Sequence, residues 1–150
     1  MGGSIEQSLN RATSWILEQV TMVKVDEELS DPQRSAEPEA EAFLRFVGPV
    51  RGTLRVRVCG GLLPTLSARM LGTSEPPETW MQLDALGEIT NLICGGLLPM
   101  IAPEEVFSQT PPTVTSAREA QEVGETPTAL TRVGVERGRA EVRLYIDEAA

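Results

Sequence analysis

Three polar residues, Asp84, Glu88 and Asn91, stand four and three positions apart in the run WMQLDALGEITNLICGGLLPM from Trp80 to Met100. At about 100° per helical residue they fall within an arc of roughly 60°, so their side chains meet on one surface. A side-chain amide both donates and accepts hydrogen bonds. A carboxylate one turn away can accept charge-assisted hydrogen bonds. Gly95 shares the arc and Gly87 lies beside it, so both sit where another molecule's backbone could approach. Each glycine in a helix interior costs about 1 kcal/mol, which calls for such a reason.

The same run carries the stripe that must fix this surface in place. Leu86, Ile89, Ile93 and Leu97 fall within an arc of roughly 80° on the opposite side, wide enough to lie against a core. The spacing predicts an amphipathic helix with its apolar face buried. Ser74-Glu75-Pro76-Pro77 punctuates before it, with Thr73 or Ser74 as its cap, and Pro99 and Pro103 close it.

Elsewhere two periodicities alternate. Ile5, Leu9, Ala12, Ile16 and Val20 predict a helix from Ser4 to Val20 with Ser4 as its N-cap. On it Glu6 and Asn10 echo the later Glu and Asn, but they stand four apart rather than three and read as solvent-facing. Thr21 to Val25 predicts a short strand, and the acidic stretch DEELSDPQRSAEPEAE a loop or a mobile linker. Leu54, Val56 and Val58 alternate with Arg55 and Arg57 in a hairpin reached through Gly48-Pro49. Leu62 to Leu71 predicts a short helix with Pro64 in its first turn, stopped by Gly72. Leu130 to Glu136 and Ala140 to Asp147 form a second hairpin about Arg137-Gly138. Many of the twelve arginines lie on these strands, but the interleaved Glu136, Glu141 and Asp147 favour a charge-paired sheet surface. CGGLLP occurs at Cys59 and again at Cys94 with flanks that do not align, a coincidence rather than a repeat.

Composition sets the limits. With 150 residues and 41% hydrophobic content the chain suits one domain, 1–150, with a single core. A net charge of −9 argues against a general nucleic-acid binder. The two cysteines read as core, and without histidine the chain offers no zinc ligand set. No segment is long and apolar enough to span a membrane, and the first residues lack the features of a signal peptide or a myristoylation signal. The expectation is a soluble, cytoplasmic protein.

The pattern D-x3-E-x2-N-x3-G, at Asp84, Glu88, Asn91 and Gly95, resembles the signature of the CheC/CheX/FliY family of response-regulator phosphatases, closest to the CheX branch. The preceding FVGPVRGTLRVRV…LLPTLSARMLG is similar to that family's strand pair and short helix, and the likeness extends over about Phe46 to Val114. The resemblance implies an α+β fold of two layers, an antiparallel sheet packed against long helices in pseudo-two-fold halves. It implies hydrolysis of the aspartyl phosphate of a CheY-like receiver domain in chemotaxis or related two-component signalling. Asn91 would orient the attacking water, Glu88 would pair with the regulator's lysine, and Asp84, Gly87 and Gly95 would form the rim of the docking face. The partner would bring the Mg²⁺, the protein needing no cofactor of its own, and the chain would form a homodimer. The alternative is a receiver-docking module without catalysis, or a structural homodimer, resembling flagellar switch proteins.

Overall fold

Ser4 opens the first helix by reciprocal capping: its hydroxyl accepts from the Gln7 N–H at 3.1 Å, and its own N–H donates to Gln7 Oε1 at 3.0 Å. The helix α1 (Ile5–Thr21) buries Leu9, Ala12, Ile16 and Leu17. The computed structural model describes residues 4–117 and 124–147. The strand expected from Thr21 does not form. Thr21 belongs to α1, its hydroxyl donating to the Leu17 carbonyl at 2.7 Å, and Met22 turns the chain with a left-handed backbone, φ 60°. Only Asp26 reaches the sheet, in a single bridge to Gly134.

The acidic stretch is more ordered than its composition implies. Ser30 and Gln33 repeat the capping box and open the helical turn α2 (Asp31–Arg34). Gln33 is buried, its Nε2 donating to Asp26 Oδ2 at 3.0 Å and to the Glu136 carbonyl at 2.8 Å. One correctly spaced pair of side chains outweighs the surrounding acidity, and the expected loop gives way to an anchored turn.

The strands are β1 (Pro38–Val47) and β2 (Gly52–Cys59), followed after two helices by β3 (Ser108–Gln109), β4 (Thr113–Ser116), β5 (Ala129–Val135) and β6 (Gly138–Ile146). The short β3 carried no signal in the sequence. They make one antiparallel sheet in the order β3-β1-β2-β6-β5, with β4 also paired to β1. The hairpins β1–β2 and β5–β6 meet along β2–β6, from Gly52 opposite Ile146 to Cys59 opposite Arg139. Each hairpin is preceded by a long helix, which gives the expected pseudo-two-fold halves.

Strand alternation sends Ala42, Leu44, Phe46, Leu54, Val56, Val142 and Leu144 to one face, where all are buried. Three helices cover that face: α1, α3 (Leu62–Leu71) and α4 (Thr79–Ile101). The architecture is therefore a two-layer α+β fold, with helices on one side of the sheet and a charged face on the other. Within α4 the expected cap is displaced, because Thr73 spends its hydroxyl on the Glu75 carbonyl at 2.8 Å and Glu78 takes the cap position without a side-chain bond. Nor does Pro99 close the helix. It lies in the last turn, and α4 runs on to Ile101.

Candidate functional site

The apolar stripe of α4 holds the helix against the core. Leu86, Ile89, Ile93 and Leu97 are all fully buried, in contact with the sheet and with α1 and α3. Burying four such side chains contributes on the order of 1.5–3 kcal/mol each, so the orientation of the opposite face is firmly set. On that face Asp84, Glu88 and Gly95 are exposed and Asn91 is half-buried. The helix thus brings together four of the five residues expected from the sequence.

Gly87 is the exception. It is buried, and a Cβ there would lie 3.1 Å from Pro112 Cγ and 3.3 Å from Val114 Cγ2. The glycine is needed so that β4 and the proline before it can pack over α4. The space left by its absent side chain is filled by the side chains of this chain's own Pro112 and Val114 rather than by a partner's backbone, and Gly87 is no part of an open rim. Gly95 does lie open, its missing Cβ meeting only Gln109 Oε1 at 3.8 Å.

Among the described residues, the side chains of Asp84, Glu88 and Asn91 make no hydrogen bond or ion pair within the chain. Gln109 on β3 is the neighbour that the sequence did not reveal. Its Nε2 donates a long bond, 3.5 Å, to the Asn91 carbonyl, and no local pattern in a two-residue strand could have indicated it. Trp80, two turns before Glu88, is 65% exposed, and its Nε1 donates to Glu78 Oε2 at 2.9 Å.

The pseudo-equivalent helix has a different face. Asn10 on α1, expected to face solvent, is part-buried and donates from Nδ2 to Thr131 Oγ1 at 2.7 Å. Its amide is already committed inside the fold. The groove of about 870 Å³ between α1 and β5, lined by Asn10, Trp15 and Arg132, therefore lies away from the α4 face. A group that must reach into another protein's pocket belongs on a convex helix rather than in a cavity.

The cysteines offer no competing chemistry. Burial pushes the Cys94 thiol up to about 12 and the Cys59 thiol up to about 11, so neither supplies thiolate at neutral pH. Among the described residues no group of three or more Cys, Asp or Glu side chains is placed to hold a metal ion. No described helix is long and apolar enough to cross a membrane.

A sheet built of two hairpin halves, with an exposed D-x3-E-x2-N-x3-G face on the helix that leads the second, defines the class of CheX- and CheC-like chemotaxis proteins. The family described as chemotaxis phosphatase CheX matches residues 41–131, and the chain belongs to that family. Among solved structures, chemotaxis protein CheX from Vibrio vulnificus is 17% identical with a TM-score of 0.76, covering 97% of each chain. The CheX–CheY–BeF3–Mg²⁺ complex from Borrelia burgdorferi gives 17% and 0.70, covering 97% of this chain and 99% of that one. The FliM middle domain from H. pylori gives 15% and 0.57, covering 93% and 86%. At these identities the likeness is one of fold. No curated protein matches the chain.

Proposed function

We propose that this protein hydrolyses the aspartyl phosphate of a CheY-like receiver domain. The observation that carries the reading is that exposed Glu88 and half-buried Asn91 share one face of a rigidly packed helix, and that among the described residues neither side chain makes a hydrogen bond or ion pair. In phosphoryl transfer the protein contributes mainly positioning and charge stabilisation. Asn91 inserts beside the acyl phosphate and holds a water in line with the departing carboxylate oxygen. The water oxygen bonds to phosphorus as the bond from phosphorus to the aspartyl oxygen breaks. The receiver regains a free aspartate, and the water's proton leaves with inorganic phosphate. Glu88 pairs with the receiver's lysine and fixes the docking angle, Asp84 stands at the rim, and Gly95 leaves room for the partner's backbone.

The receiver supplies the Mg²⁺. This is supported by the related CheX crystallised with CheY, BeF3 and Mg²⁺. The reading further takes the chain as a single cytoplasmic domain that works as a homodimer, joined through sheet edges. The outer edge of β5 is one candidate, since among the described residues only the bridge at Gly134 occupies it. Light scattering should give twice the 16.3 kDa of one chain, and a monomer at micromolar concentration would remove the dimer.

A docking module without catalysis is the second reading, favoured by the fold shared with the FliM middle domain. Phosphate release from receiver domains loaded with acetyl phosphate separates the two. The parent chain should accelerate release, and Asn91→Ala should abolish the acceleration while leaving fold and binding intact. That change at a half-buried helical position should raise stability by a few tenths of a kcal/mol, so lost activity would not reflect unfolding. If Asn91→Ala is as active as the parent, the amide does not position the water. If the parent binds without accelerating release, the docking reading stands.

A further inference from the structure

We infer that Trp80 anchors the partner at the N-terminal rim of the same docking face, setting which receiver is accepted without taking part in the chemistry. The inference rests on the proposed function and adds a residue to it. At about 100° per residue Trp80 falls roughly 40° from Asp84, about 20° beyond Asn91 at the border of the arc. It is 65% exposed, whereas the apolar residues of the opposite stripe are fully buried. The indole is held in place, because its N–H donates to Glu78 Oε2 at 2.9 Å and Glu78 occupies the cap position of α4. An exposed, oriented tryptophan loses little rotamer freedom on contact, which is why Trp is enriched among the residues that dominate binding energy.

Geometry says what covers it. Trp80 lies eight residues before Glu88 and eleven before Asn91, about 12 and 16 Å along the helix at a rise of 1.5 Å per residue. A specific interface occupies about 800 Å² per partner, a patch of roughly 16 Å radius. A receiver centred on the Glu88–Asn91 pair therefore overlies Trp80 near the edge of its footprint. An apolar patch on the receiver at that radius buries the ring, and a polar or charged surface there leaves it unmatched and disfavours the wrong regulator. Leu92, on the other flank of the polar arc from Trp80, is 39% exposed, so the face carries an apolar side chain on either side of Glu88 and Asn91.

The test uses the full chain with Trp15→Phe as background, leaving Trp80 as the sole indole. Titration with a receiver held in its active form by BeF3 and Mg²⁺ should shift the Trp80 emission to the blue. Trp80→Ala should raise KM for the phosphorylated receiver at least tenfold with kcat within twofold of the parent, and Trp80→Phe should recover most of the loss. The dissociation constant of the BeF3-loaded receiver should rise in parallel. An active parent whose KM and dissociation constant are unmoved by Trp80→Ala overturns this inference and leaves the phosphatase reading intact. A lowered kcat at unchanged KM also overturns it. A parent that neither binds nor hydrolyses overturns the reading and this inference together.

Discussion

Glu88 and Asn91 share one helix face but should fail differently when removed. A contact with the receiver's lysine is present in the bound ground state and in the transition state alike, so its loss weakens both equally. Glu88→Ala should therefore raise KM by about ten- to a hundredfold with kcat little changed, in keeping with the 1.5–3 kcal/mol of a charge-assisted bond. Steady-state hydrolysis over a range of receiver concentrations separates this from the kcat loss expected of Asn91→Ala. A fall in kcat at unchanged KM would move Glu88 from docking into the chemistry. That the two share one face was legible from spacing, because an arc on a helix follows from residue number once the helix is granted, whereas the roles proposed for them came from the family resemblance. Gly87 was misjudged for the complementary reason: a missing side chain signals a close approach but not by whom, and here the visitor is the chain's own Pro112.

The helix α4 carries two further glycines in succession, which give an internal control. A Cβ on Gly96 would meet nothing within 4 Å, and one on Gly95 would meet only Gln109 Oε1 at 3.8 Å. Either change to alanine should stabilise the helix by about 1 kcal/mol through propensity, visible as a higher denaturant midpoint. Gly95 lies within the arc of Asp84 and Asn91, and Gly96 about 100° away from Gly95. Gly95→Ala should therefore raise KM for the phosphorylated receiver severalfold, and Gly96→Ala should leave it unchanged. Equal kinetic effects from the two would mean that no partner backbone comes close at Gly95. At this scale the long elements were readable: α1, α3, α4 and both hairpins lie within a few residues of their sequence limits. What escaped were segments set by one tertiary contact. Gln33 is buried because it reaches Asp26 and Glu136, and β3 exists only where Gln109 meets Phe46.

Across the whole molecule, charge is segregated in a way that total composition conceals. The chain carries a net charge of −9, yet Arg55, Arg57, Arg132, Arg139 and Arg143 gather on the open face of the sheet around two buried carboxylates. Glu41 lies 3.7 Å from Arg55 and 3.5 Å from Arg57, and Glu141 lies 2.8 Å from Arg139 and 3.3 Å from both Arg132 and Arg143. The charge-paired sheet surface expected from the sequence is present. Its focus on Glu41 and Glu141 was not legible, because it depends on the register within each hairpin, which sets Glu41 opposite Arg57 and Glu141 opposite Arg132.

Burial alone would raise the Glu141 carboxyl, but the hydrogen bond and charge of Arg139, with Arg143 and Arg132 behind it, hold it below the ordinary value of 4.5. A carboxyl that titrates lower in the folded chain than in the unfolded one contributes stability that is complete above the unfolded value and lost as pH falls through the folded one. Removing one partner of a buried ion pair costs about 3–5 kcal/mol. Arg132 is 48% exposed and Arg143 23%, so solvent screens part of this and about 2 kcal/mol is expected. Glu141→Gln should accordingly lower the unfolding free energy by about 2 kcal/mol at pH 7, and the gap to the parent should narrow as pH falls below about 4. Urea unfolding at the two pH values measures it. A gap that stays constant into acid would mean that the carboxylate's charge contributes nothing, leaving only its shape and hydrogen bonding to account for the loss.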